Sequence, residues 1–323
     1  MTSFEDAHRR LEEVHARIAK VLLGKDEEIR LVLMGFAAGG HVLLEGVPGV
    51  GKTVLARAIA RAIRGTFARV QCTPDLLPSD VTGTNVYDPR EMVFHFRPGP
   101  IFQHVVLVDE INRATPRTQA ALLEAMEERQ VSIDGGTHTL PEAFFVLATQ
   151  NPVEMEGTFP LPEAQLDRFF LRARLGYPDH ETEIRILEAF ERAHPLAGLE
   201  PVLDVAEWMA IRSAVREVPV SRPVRGYVAS IVEATRKSED LDLGASPRAA
   251  LALQRAGQAR ALLRSARPYV TPQDVKDLAG AVLGHRLMLK TRTRLAGLDE
   301  GRILERLLRS IPVPLQPEES PPP

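Results

Sequence analysis

Residues 41–53 read HVLLEGVPGVGKT, and no other stretch restricts the possible folds as tightly. An apolar run at Val42, Leu43 and Leu44 leads into Gly46, Gly49 and Gly51, followed by Lys52 and Thr53. This is the G-x-x-x-x-G-K-[ST] spacing of a phosphate loop carried on the end of a strand. The candidate cradle runs from Gly46 through Val47, Pro48, Gly49, Val50 and Gly51 to Lys52, Thr53 and Val54. Its glycines let backbone N–H groups turn inward around phosphate oxygens, Lys52 can reach the β- and γ-phosphates, and the Thr53 hydroxyl can ligate Mg²⁺. Leu55, Ala58, Ile59 and Ala62 then recur at helical spacing and Gly65 stops the run, so a helix N-terminus points its partial positive charge at the anion. Strand, loop and helix in that order require an α/β fold.

A second chemical centre follows at 101–130. Val105 to Val108 is a continuous apolar run fit for a buried parallel strand, and it ends in Asp109-Glu110. In a doubly wound sheet two carboxylates at that strand end sit beside the phosphate-loop crevice. Asp109 is then placed to hold Mg²⁺ and Glu110 to polarise an attacking water, the alternative being a solvated acidic turn. Thr115-Pro116 reads as a helix start, and 119–129 as an amphipathic helix. Residues 143–149, AFFVLAT, form another buried strand ending in Gln150-Asn151-Pro152. Asn151 can bond a γ-phosphate or the attacking water, or simply form a turn before proline. Residues 162–170 read as a short helix with Arg168 near its end, and 171–175 as a fifth strand. An arginine there cannot easily fold back onto its own phosphate loop, so it is either delivered to a neighbouring subunit's nucleotide or paired on the surface, with Asp167 the nearest partner.

The remaining chain sorts around these centres. Residues 4–21 form an amphipathic helix through Phe4, Leu11, Val14, Ile18 and Val21, and 22–25 is a loop expected beside the nucleotide base. A second helix begins at Asp26, whose carboxylate is expected to cap it. Residues 67–72 form a short strand. Between 73 and 100 the sequence is irregular and proline-rich, with a hairpin-like alternation at 91–97, which reads as an insertion projecting from the core. Residues 130–140 alternate around Asp134-Gly135-Gly136, a hairpin signal. After Tyr177-Pro178-Asp179 strand patterns cease, and 181–194, 205–217, 223–237, 247–264 and 272–289 are helical by period. Ser246-Pro247 caps one of these helices and puts Arg248 in its first turn, a further candidate phosphate contact. The expected division is a nucleotide-binding core at 1–178, a helical region at 179–311, and a disordered proline-rich tail at 312–323.

Taken together, the motifs HVLLEGVPGVGKT, LVDEINRATPRTQAALLEAMEERQVSIDG, FFVLATQNPVEMEGTFPLPEAQLDRFF and GASPRA resemble the MoxR family of AAA+ ATPases over roughly 18–309. The resemblance implies a P-loop core with a parallel five-stranded sheet, an all-α lid, and the cofactors ATP and Mg²⁺. It makes Lys52 and Thr53 the Walker A pair, Asp109 and Glu110 the Walker B pair, Asn151 sensor 1, Arg168 the arginine finger and Arg248 sensor 2. Arg113 lies where a second intersubunit arginine can stand. Segments 73–100 and 130–140 correspond to the helix 2 insert and the pre-sensor 1 hairpin. Members form rings, usually hexamers, and are viewed as chaperones of protein complexes, often with a partner bearing a von Willebrand factor type A domain.

Composition narrows the competing classes. A net charge of −3 and the lack of an aromatic-basic tract weigh against a nucleic-acid motor or loader, the main alternative. No N-K-x-D element points to guanine, and the intact Asp109-Glu110 pair weighs against a non-hydrolysing scaffold. One cysteine, Cys72, excludes an internal disulfide and reads as a small buried hydrophobe. The amino terminus lacks the apolar centre of a secretory signal and no apolar run is long enough to span a bilayer, so the expected compartment is the cytoplasm.

Overall fold

Alternating apolar residues in the strands bury both faces of one sheet, and the rest of the core is arranged around that fact. The computed structural model describes residues 3–151, 157–191, 195–264 and 267–314. Helices α1 (Phe4–Ala19) and α2 (Asp26–Ala37) precede β1 (Val42–Gly46) and α3 (Lys52–Ala62). Next come β2 (Phe67–Gln71), α4 (Pro78–Thr82), the pair β3 (Gly83–Asp88) and β4 (Val93–Pro98), and β5 (Val105–Asp109). They are followed by α5 (Pro116–Glu128), β6 (Gln130–Ile133), β7 (Gly136–Thr139), β8 (Phe145–Gln150), α6 (Glu163–Leu166) and β9 (Leu171–Leu175).

The five-stranded sheet has the order β2-β5-β8-β1-β9, and every pairing in it is parallel. Val42, Leu44, Val105, Leu107, Phe145 and Leu147 face one core with α1, α2 and α3. Leu43, Val106, Val108, Val146 and Ala148 face a second core with Leu122, Leu123 and Met126 of α5. The period of two along each strand thus divides the apolar residues between two layers. Cys72 is buried, and burial, with Asp109 and Glu110 close by, pushes its thiol up to about 12.

Three local expectations are corrected. Helix α2 begins at Asp26, but Lys25 is its cap residue and no side chain caps it; Asp26 lies inside the first turn, where its charge suits the helix dipole. The 73–100 segment is more regular than its prolines suggest. Pro78 opens α4 at the position where a missing N–H costs nothing, the Asp80 carboxylate accepts from Leu77 N–H at 2.9 Å, and β3 and β4 pair along their full length. This hairpin exposes Val86, Tyr87, Met92, Val93 and Phe94. It docks on the β6–β7 hairpin through a Phe96–His138 stack at 3.7 Å and an Asn85–Asp134 bond of 2.8 Å. The short helix expected at 162–170 is only the single turn of α6.

Beyond β9 the chain is helical: α7 (His180–Phe190), α8 (Val205–Glu217), α9 (Arg222–Lys237), α10 (Pro247–Leu263), α11 (Pro272–Leu283), α12 (Thr291–Leu295) and α13 (Glu300–Ser310). One small antiparallel ladder interrupts it, β10 (Leu241–Leu243) with β11 (Met288–Leu289), too short for a strand period to register. Trp208 of α8 is fully buried and stacks on Phe36 of α2 at 4.2 Å, and Phe36 in turn stacks on Phe145 of β8 at 4.5 Å. Helix α8 is thereby tied to the sheet layer. The proline-rich tail lies, from residue 315 on, outside the described residues.

Candidate functional site

Parallel strands bring their carboxyl ends to one edge of a sheet, and the sheet order decides which of them are neighbours there. Strand β1 lies between β8 and β9, and β8 lies between β1 and β5. The loop after β1, the Asp109-Glu110 pair at the end of β5 and Asn151 after β8 therefore share one edge.

At that edge the backbone excludes most side chains. A Cβ at Gly46 would come within 2.6 Å of the Leu175 carbonyl oxygen on β9. Gly51 has φ +95°, and a Cβ there would meet Leu22 Cδ1 at 2.4 Å, so the 22–25 loop packs against the phosphate loop. Lys52 opens α3, is buried, and donates from Nζ to the Gly46 carbonyl at 2.7 Å. Thr53 follows in the same first turn. No side chain caps α3 among the described residues, and the N-terminus of a helix favours an anion.

The carboxylates are held by partners on both neighbouring strands. Thr149 Oγ1 on β8 donates to Asp109 Oδ1 at 2.5 Å, and Arg69 Nη2 on β2 donates to Asp109 Oδ2 at 2.6 Å. Glu110 has φ +57°, a conformation unfavourable for a side-chain-bearing residue. Its N–H donates to Thr149 Oγ1 at 2.9 Å, so one hydroxyl fixes both acidic residues. Glu110 Oε2 accepts from Gln71 Nε2 at 3.2 Å and from Arg113 Nη1 at 3.0 Å. Arg113 thus has a partner within its own chain. Asn151 is buried beside them.

Sequence reasoning passed over Arg69, Gln71 and Thr149. Thr149 carried a readable signal, a lone hydroxyl closing an otherwise apolar strand. The other two sit on a half-exposed edge strand, where polar residues are ordinary.

Arg168 and Arg248 stand elsewhere. Arg168 precedes β9, whose Leu171 is in register with Val42 at the start of β1, so it lies at the amino edge, about 16 Å from the phosphate-loop edge at 3.3 Å per strand residue. Asp167 is not its partner. Arg168 Nε pairs with Glu127 Oε2 at the end of α5, at 3.0 Å, and Arg248 of α10 pairs with the other oxygen of the same carboxylate. Asp167 instead accepts from Arg286 Nε at 2.7 Å and from Ser246 Oγ at 3.0 Å. Ser246 is also the cap of α10.

The carboxyl edge therefore combines a glycine-lined loop, a buried ammonium, an uncapped helix start and paired carboxylates. That donor set fits a nucleotide polyphosphate with a divalent cation. The comparisons with known proteins agree. Residues 41–171 match the family model described as "ATPase family associated with various cellular activities (AAA)", and residues 233–307 match "AAA lid domain". The chain is 47% identical to "Uncharacterized protein YeaC" of Bacillus subtilis over 97% of both chains. It is 40% identical to "Chaperone MoxR1" of Mycobacterium tuberculosis over 94% of this chain and 82% of that one. A solved structure of a candidate ATPase from Cytophaga hutchinsonii superposes with a TM-score of 0.89 at 36% identity, covering 97% of each chain. On this fold, this site and these relatives, the chain belongs to the MoxR family of AAA+ ATPases, enzymes that hydrolyse ATP.

Proposed function

We propose that the chain is an Mg-ATP-driven chaperone that works as a ring and remodels or matures a protein client. The observation that carries this reading is the division of the chemistry between two edges of one sheet. In it, the N–H groups of 46–54 and Lys52 hold the ATP phosphates, while Thr53 and Asp109 hold Mg²⁺, which neutralises charge on the phosphates when bound. Glu110 orients and deprotonates the attacking water, and Asn151 holds that water or the γ-phosphate. Arg168 and Arg248, at the opposite edge and on one shared carboxylate, serve the nucleotide of the neighbouring subunit, and both serve the same one. A hexamer is the ring size proposed, with residues 1–178 as its nucleotide-binding core and 179–311 as the lid. The relative named "Chaperone MoxR1" supports a protein client, and a von Willebrand factor type A partner is proposed on the family resemblance. No described helix is long and apolar enough to cross a membrane, which is compatible with the proposed cytoplasmic site of action.

The test is Mg²⁺-dependent ATP turnover per chain across a wide range of protein concentration, with Glu110→Gln as the blank. Specific activity that climbs with concentration and then levels supports a site completed by assembly. Constant turnover per chain, down to concentrations where sedimentation shows only monomer, refutes delivery of Arg168 in trans.

A further inference from the structure

We infer that Glu127 is a positioning residue for ATP hydrolysis, holding Arg168 and Arg248 in one geometry so that both meet the neighbouring subunit's nucleotide together. The inference rests on the reading that these two arginines act in trans, and adds the residue that aims them.

Three elements distant in sequence meet at this carboxylate. Glu127 lies in the last turn of α5, Arg168 in the turn before β9, and Arg248 in the first turn of α10. Each carboxylate oxygen takes one arginine, Oε2 the Nε of Arg168 at 3.0 Å and Oε1 the Nη2 of Arg248. Arg168 approaches through the nitrogen nearest its stem, and among the described residues no hydrogen bond engages its terminal nitrogens, whose forked geometry suits phosphate. The two side chains are about a third and a half exposed, at 30% and 47%, and are accessible to a neighbour.

The surroundings separate this arrangement from an ordinary surface ion pair. The backbone on either side of Arg168 is pinned by buried Arg286, which reaches the Asp167, Phe169 and Phe170 carbonyls. Asp167 also binds Ser246, two residues before Arg248. Backbone position is therefore set by the Arg286 network, and the remaining freedom of both arginines lies in their long side chains, which Glu127 restrains. With Arg168, Arg248 and Arg286 against Glu127 and Asp167, the cluster keeps one net positive charge, so pairing with Glu127 does not cancel its attraction for phosphate. Helix α5 has 13 residues and spans about 20 Å at 1.5 Å per residue. It begins just beyond the chain's own Asp109-Glu110 pair and carries Glu127 in its last turn, linking the site a subunit hydrolyses at to the arginines it lends.

The experiment uses full-length chains. Glu127→Gln keeps the size and removes the charge. The expected result is a fall in turnover of about tenfold to a hundredfold, the scale of a displaced reacting geometry, with unchanged affinity for a fluorescent ATP analogue and unchanged assembly by sedimentation. Glu127→Gln is then co-assembled with Lys52→Ala, whose own phosphate loop is disabled but whose Glu127, Arg168 and Arg248 are intact. Turnover per Glu127→Gln chain should rise several-fold in the mixture, because a sound phosphate loop now faces soundly aimed arginines. Loss of turnover without that recovery overturns the inference, since Glu127 would then be acting on its own chain's site or on its fold. Arg168→Ala is run in parallel. If it is inactive while Glu127→Gln stays within twofold of the parent, the inference fails and the trans reading survives. If Arg168→Ala turns over normally, the trans reading fails and takes the inference with it.

Discussion

Arg286→Met tests how the lid region is fastened to the core. Arg286 is 5% exposed, and burial pulls its pKa down while the Asp167 carboxylate holds it up. Its guanidinium donates to Asp167 Oδ1 at 2.7 Å, Phe169 O at 2.6 Å, Phe170 O at 3.1 Å and Asp167 O at 3.2 Å, and also to Val282 O on its own side. Removing one member of a buried ion pair costs about 3–5 kcal/mol. Asp167 is 22% exposed and can recover some hydration, whereas buried carbonyls left without donors each cost about 1 kcal/mol or more. The two corrections oppose, and about 4 kcal/mol is the expected loss, a shift of roughly 6 °C in melting temperature for a chain of this size. The assay is a thermal or urea melt followed by the emission of Trp208, the single tryptophan, which is fully buried against Phe36. A variant within about 1 kcal/mol of the parent refutes the staple, because methionine can fill the volume but cannot donate. Arg286→Met combined with Asp167→Asn should lose less than the two single changes added together.

Glu110→Gln should bind a fluorescent ATP analogue like the parent and release phosphate at least about 100-fold more slowly, as expected when a general base is lost; a normal rate refutes the assignment of the base. His41 supplies a pH test. Its Nδ1 accepts from Val146 N–H at 2.9 Å, its Nε2 lies 3.1 Å from Met126 O, and burial, aided by the nearby Arg129 charge, lowers its pKa from the ordinary 6.5 to about 3. The unfolded chain takes up a proton below about pH 6.5 that the folded one resists. This contribution is therefore complete above that pH and is lost as pH falls toward 3, by at most about 1.4 kcal/mol per unit. Urea midpoints measured from about pH 7 to about pH 5 should fall more steeply for the parent than for His41→Gln, and equal slopes refute the claim.

The parts legible in the sequence are those where one residue pattern admits one structure. Strands β1, β5 and β8 read as apolar runs because the sheet buries both faces of their leading residues, edge strand β9 reads by its alternation of apolar residues with arginine, and the glycine spacing of 46–53 has few other uses. Strand β3 was hidden because both its faces are largely open and GTNVYD has no period. Helix α13 was hidden too, since Ile303, Leu304 and Leu308 are its only buried residues, a narrow stripe among charges. The candidate site divides in the same way. Lys52, Asp109, Glu110 and Asn151 announce themselves by standing at or just beyond the carboxyl ends of apolar strands. The convergence of Arg168 and Arg248 on Glu127 joins residues 41 and 121 positions apart in the chain, and adjacent Asp167 was the natural partner to expect until the fold assigned it to Arg286.

The strand order also bears on how the protein is made. β1 leaves the ribosome well ahead of its hydrogen-bonded neighbours β8 and β9, in register at Leu147 and Leu171, more than a hundred residues later. Until β8 has been synthesised the phosphate-loop strand is anchored on neither side, and until β9 follows it is open on one side and Gly46 lacks the Leu175 carbonyl against which it packs. Non-local parallel pairing of this kind forms slowly and leaves apolar strands waiting for partners. A nascent chain stalled before residue 175 should thus retain no ATP, and nucleotide becomes a folding ligand only after the core is complete, while the lid is still being translated.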